Sequence, residues 1–177
     1  MANLVLKRFH CITQDDDSGG DSPYFIIYVG DIVTGKVNVK RVKQGNWDNE
    51  VDGGENWTVN ETVATGFSLN NAQTYVLVAC IEEDDNVDIS SAEIDAMETA
   101  MRSQLAGFSG IATMTFPVRT AILTLFRQRI NSALGGGNDD FIGKIDRLAP
   151  VTASPGELAD LVKFRGSGDY NVRFGVE

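Results

Sequence analysis

Cationic side chains are scarce in this chain. Lys and Arg together number 15 against 25 Asp and Glu, which leaves a net charge of −10 over 177 residues. Nucleic-acid recognition rests on a basic patch or stripe, so no nucleic-acid partner is expected. Unaided adhesion to anionic lipid is disfavoured for the same reason, because polybasic segments do that work. There is a single histidine, His10, and it precedes Cys11. Neighbours in a strand point to opposite faces, so these two do not form a Cys–His dyad with each other. The nucleophile motif G-x-S-x-G, a pair of histidines at metal-binding spacing and a phosphate-binding loop are all missing. Carboxylate pairs can serve a glycosidase, but a small sandwich leaves little room for its substrate cleft. The expectation is a protein that is not an enzyme. Two cysteines, Cys11 and Cys80, make no disulfide framework in a chain of this length and are expected to be buried free thiols. No uninterrupted apolar run reaches the roughly eighteen residues of a membrane span. Residues 1–7 read straight into an alternating strand without the order of a secretory signal. A cytoplasmic chain, one exported without a cleaved signal, or a mature form all fit that start.

What the sequence has in abundance is carboxylate, and it is grouped. Asp15, Asp16, Asp17 and Asp21 lie in one turn-rich loop. Glu82, Glu83, Asp84 and Asp85 end an apolar strand, and Asn138, Asp139 and Asp140 precede Phe141, Ile142 and Gly143. A hard cation such as Ca²⁺ takes six to eight oxygen ligands, which carboxylates and loop carbonyls supply. Without a cation, so many carboxylates at one edge would repel each other. Taken one run at a time, such residues are ordinary turn formers. Taken together, Asp16, Asp17 and Asp21 with Glu83, Asp84, Asp139 and Asp140 form a candidate calcium site.

The same loops carry a family resemblance. Asp17-Ser18-Gly19-Gly20-Asp21-Ser22-Pro23-Tyr24-Phe25 resembles the first calcium loop of C2 domains, the calcium-dependent phospholipid-binding β-sandwiches. The acidic strand end at 82–85 and Asn138-Asp139-Asp140-Phe141-Ile142-Gly143 are similar to the later C2 signature. Two departures stand out. Asp21 and Ser22 are in swapped order, and residues 86–137 separate the two halves of the late loop. The resemblance covers residues 1–85 and 136–177. It implies a C2-like antiparallel β-sandwich, bound Ca²⁺, and docking to a phospholipid membrane or a protein partner.

Along the chain, residues 4–12, 23–29, 36–43, 63–69, 74–81, 140–145, 161–164 and 170–176 read as strands bounded by turn signals. Residues 44–60, rich in Gly, Asn, Asp and Glu, read as a long loop with Trp47 and Trp57 as half-buried anchors. Within it Asn56 and Asn60 open Asn-x-Thr sequons, which matter only in a glycosylating pathway. After Asp88 the period changes. Ser90 and Glu93 form a capping box, Ile94, Met97, Met101 and Leu105 share a helical face, and Gly107 ends the helix. Pro117 opens a second helix with Val118, Ile122, Leu125, Phe126 and Ile130 on one face. The fold class is therefore mainly β: one sandwich domain over 1–177 with a two-helix insertion at 89–134. The helices are expected to cap the sandwich, while the uncharged connector 107–116, through Phe108, Ile111, Met114 and Phe116, is expected to face outward. That outward face supports an alternative function, a self-assembling structural or toxin-like protein. There the insertion mediates homo-oligomerisation or membrane insertion.

Overall fold

The computed structural model describes residues 2–13, 22–43, 51–68, 73–82, 89–135, 149–150, 156–157, 162–165 and 169–177. Two antiparallel sheets and two helices make up the described chain. The first sheet is built on β4 (Asn56–Phe67), β1 (Ala2–Thr13) and β9 (Asp169–Val176), with the short strands β7 (Gly156–Glu157) and β8 (Val162–Arg165) along β9. The second is built on β3 (Lys36–Val42), β2 (Pro23–Asp31) and β5 (Thr74–Glu82), edged by β6 (Ala149–Pro150). Helices α1 (Ser91–Ala106) and α2 (Phe116–Ala133) follow β5 in the chain.

The burial pattern of β2 reveals the layering. All nine of its residues are buried. A strand buried on both faces reads as a continuous apolar run rather than an alternation, and Tyr24-Phe25-Ile26-Ile27-Tyr28-Val29 is such a run. Phe25, Ile27 and Val29 enter a core shared with Leu4, Leu6, Phe9 and Cys11 of β1 and Tyr170, Val172 and Phe174 of β9. Within that core Phe9 meets Phe25 edge-on at 5.3 Å and stacks on Tyr170 at 5.4 Å. Tyr24, Ile26 and Tyr28 point the other way, into a second core with Met97, Met101, Ile122, Phe126 and Ile130 of the helices. The molecule thus has three layers, sheet on sheet on helices, and the middle sheet is covered twice. Tyr28 is so tightly placed that its hydroxyl lies only 1.8 Å from where a Cβ on Gly30 would sit, which is why a side chain is missing there.

The helices form where their signals lie. Ser90 caps α1: its hydroxyl accepts from the Glu93 N–H, while the Glu93 carboxylate accepts from the Ser90 N–H at 2.7 Å. Pro117 sits in the first turn of α2. Leu125 of the expected stripe is half-buried, and Val118, Ile122, Phe126 and Ile130 carry the contact. The connector departs from expectation. Met114 is buried, and Phe108 and Ile111 pack partly against the helix–sheet core; only Phe116 points out, at 80% exposure. The apolar side chains of the connector find room in the second core, so exposure is confined to the residue at the helix start.

Residues 56–60 also correct the sequence reading, because they are strand rather than loop. β4 begins at Asn56, opposite His10 of β1. Its alternation is broken by register shifts against β1, near which Asn60 and Gly66 take left-handed backbone angles (φ 52° and 66°) that Asn and Gly tolerate. Trp57 packs half-buried against the inter-sheet core, as an anchor should. Both cysteines are buried free thiols. The neighbouring β3 and β4 edges are bridged by side chains, a usual safeguard against edge pairing. From β3, Asn38 donates to the Val63 carbonyl at 2.6 Å and Lys40 to that of Thr62 at 2.7 Å, while Lys40 also pairs with Glu61. On the helix side, Glu98 of α1 accepts from the Val39 N–H at 3.0 Å. The expected strand at 140–145 lies outside the described residues.

Candidate functional site

Strand register decides which loops share an end of the molecule. In the β2–β5 pair Pro23 faces Glu82, so the point where the chain re-enters after residues 14–21 lies beside the point where it leaves for 83–88. β3 ends at the same level, with Val42 opposite Phe25. In the first sheet, Thr13 faces Asp169, and the Asp169 N–H donates to the Thr13 hydroxyl at 3.1 Å. Ile89, the first residue described after the second acidic run, is tied to this end from both sides. Its N–H donates to the Tyr24 hydroxyl at 3.4 Å, and its carbonyl accepts from Arg41 at 2.7 Å. The last helix packs on the same sheet. Arg119 lies over the Tyr75 ring at 5.0 Å, and Tyr75 pairs with Gly30 at the far end of β2. One helical stretch later, Phe126 meets Tyr28 at 6.1 Å. Gly135, where the chain leaves for 136–148, lies beyond the C-terminus of α2, and the chain is described again at Ala149, which pairs with Val76 toward the Gly30–Tyr75 end.

The seven candidate ligands, Asp16, Asp17, Asp21, Glu83, Asp84, Asp139 and Asp140, all lie outside the described residues, as does Trp47. Pro23 and Glu82, which flank the first two acidic runs, lie side by side, whereas Ala149, which follows the third, pairs with Val76 toward the opposite, Gly30–Tyr75 end. Among the described residues no three of His, Cys, Asp and Glu lie close enough together to hold a metal ion.

The opposite end is held by a different carboxylate. Asp31 is fully buried at the β2–β3 turn. It accepts from the N–H groups of Val33 and Thr34 at 2.9 and 3.0 Å, and from the hydroxyls of Ser68 at 2.6 Å and Thr74 at 3.4 Å. With those donors filled it is a structural clasp between the turn, the end of β4 and the start of β5.

One polar feature had no signal in the sequence reading. On the outer face of the first sheet a recess of about 130 Å³ is lined by Arg8, His10, Asn56, Asn171 and Arg173. Its residues come from three strands at opposite ends of the chain. Alternation in β1 and β9 places them on the solvent side; only the register shows that they meet.

The chain matches no model of a known protein family, and no curated protein is significantly similar to it.

Proposed function

We propose that this protein is a non-catalytic calcium-binding β-sandwich module of C2-like type. Its acidic end takes up Ca²⁺ and docks to a phospholipid membrane or a protein partner. The observation that carries this reading is the register that sets Thr13, Pro23 and Glu82 at one end, which supports bringing the first two acidic runs together there; the third would reach them from Ala149, which pairs with Val76 nearer the other end. Ligands would come from Asp16, Asp17, Asp21, Glu83, Asp84, Asp139 and Asp140. The cation's chemistry is charge neutralisation. A chain of net charge −10 is repelled by an anionic surface, and a divalent ion held among carboxylates reverses that locally. Sedimentation with vesicles of anionic phospholipid tests the docking step: binding in calcium and release in chelator is expected, and equal sedimentation in both would overturn it.

Phe116 favours a second reading. It is the most exposed large apolar side chain among those described, at the start of α2 and away from the acidic end. In that reading the helical layer mediates self-association or membrane insertion, and Phe116→Ser lowers the oligomeric mass or the lipid-bound fraction.

A further inference from the structure

The charge of this chain is segregated. Residues 99–138 hold four Arg and no Asp, Glu or Lys, so all 25 carboxylates and the other 11 of the 15 cationic residues lie outside them. Within that stretch, residues 103–118 carry no charge at all. They span the end of α1, the connector and the start of α2. Met114 is buried there, and Phe108 and Ile111 pack partly on the second core. The rest of that surface is small and uncharged around Pro117 and Phe116, the latter 80% exposed. Arg119, three residues on from Phe116, is its neighbour on the helix surface. Its Nε donates to the Met114 carbonyl at 3.2 Å, and its guanidinium lies over the Tyr75 ring at 5.0 Å. Among the described residues no carboxylate pairs with it. A cation is thus held beside an apolar tip, with no carboxylate between Glu98 and Asp139 in the sequence.

Building on the reading in which the helical layer meets a membrane, we propose that the α1–α2 connector end docks on an anionic phospholipid surface without calcium. Phe116 enters the boundary between headgroups and acyl chains, and Arg119 meets the headgroup phosphates. A tip without carboxylates suits this contact, because a buried anion is costly to strip of water. The buried stripe Val118–Ile122–Phe126–Ile130 commits α2 to the sheet, so the contact is shallow. A second copy fits the tip less well. An isologous contact presents the same patch from both sides and would bring the two Arg119 groups together. The net charge of −10 does not forbid the docking. Pro23 and Glu82, which flank the first two acidic runs, pair seven residues along β2 from Gly30, the partner of Tyr75. At the rise of a strand that is roughly 23 Å, more than two screening lengths of about 8 Å at physiological salt.

The test is sedimentation of the full chain, in chelator, with vesicles of phosphatidylserine and phosphatidylcholine in equal parts and with phosphatidylcholine alone. Saturable binding to the anionic vesicles is expected, and raising the salt should weaken it. Phe116→Ser should weaken it about tenfold, the scale of one buried aromatic side chain. Its melting temperature should stay close to that of the wild type, because the side chain is exposed. Arg119→Gln should weaken binding about fivefold, and Arg119→Lys, which keeps the charge, should restore it. Absence of binding in chelator would overturn the proposal, as would equal binding to phosphatidylcholine alone or binding unchanged in both Phe116→Ser and Arg119→Gln. Binding that appears only with calcium overturns it while leaving the calcium reading standing. A solution mass that falls in Phe116→Ser without vesicle binding overturns it in favour of self-association.

Discussion

Replacing Phe126 with Ala tests whether the helices are a true third layer. Phe126 is fully buried on α2, between Ile122 and Ile130 on the same face, with its ring 6.1 Å from that of Tyr28 on the middle sheet. Truncation loses the ring's transfer free energy and leaves a cavity between helix and sheet. Both walls are tied down, α1 through its capping box and Glu98, the sheet through its second core, so little collapse is expected. A Phe→Ala change at such a site costs about 3–5 kcal/mol. At about 2–4 °C per kcal/mol for a chain of this size, the melting temperature should drop by about 6–20 °C. Phe116→Ala is the matched control, because the same atoms are removed from a side chain that is 80% exposed; its effect should stay within about 0.5 kcal/mol. Urea denaturation followed by circular dichroism reads both. One cooperative transition with an unchanged slope is expected for each variant. Two similar, small shifts, or a helical signal that melts before the strand signal, would refute the three-layer core.

Two further outcomes follow from buried polar groups. Asp31→Ala leaves the N–H groups of Val33 and Thr34 and two hydroxyls without their acceptor, and should cost about 2–4 kcal/mol in a denaturant melt; a loss below about 0.5 kcal/mol would show that the clasp is dispensable. The Tyr28 phenol has no partner for its hydroxyl among the described residues, and burial pushes its pKa well above the ordinary value of about 10. The folded state then holds a proton that the unfolded state releases, so this contribution is complete below pH 10 and is lost as the pH climbs above it. Tyr28→Phe should flatten that alkaline decline and be neutral or stabilising at pH 7, whereas an identical decline in the variant would assign the titration elsewhere.

The strands and helices were legible where a local signal was strong. The alternation of β3, the apolar run of β2, the Ser90–Glu93 box and the Val118–Ile130 stripe each specify their element without help. β4 was not legible at its start, because Asn56, Asn60 and Glu61 are poor strand formers and pairing with β1 overrides them. The sequence reading had the helices cap the sandwich, but not which sheet they would cover. A buried run of six apolar residues fits a strand covered on both faces, but the partner layers are fixed only by tertiary packing. The acidic runs were visible as composition, and strand register adds that residues flanking the first two share one end, while Ala149, after the third, lies toward the other. The recess on the outer face of the first sheet was invisible, since residues 8, 10, 56, 171 and 173 meet only through a sheet that joins the two ends of the chain.

Calorimetric titration of the purified chain with Ca²⁺, with thermal melts in calcium and in chelator, tests the central claim most directly. The account predicts saturable binding and a higher melting temperature in calcium, with most of both lost when Asp139 and Asp140 are replaced together by Asn. A melting temperature that is the same in millimolar calcium and in chelator, with no heat of binding, would contradict it.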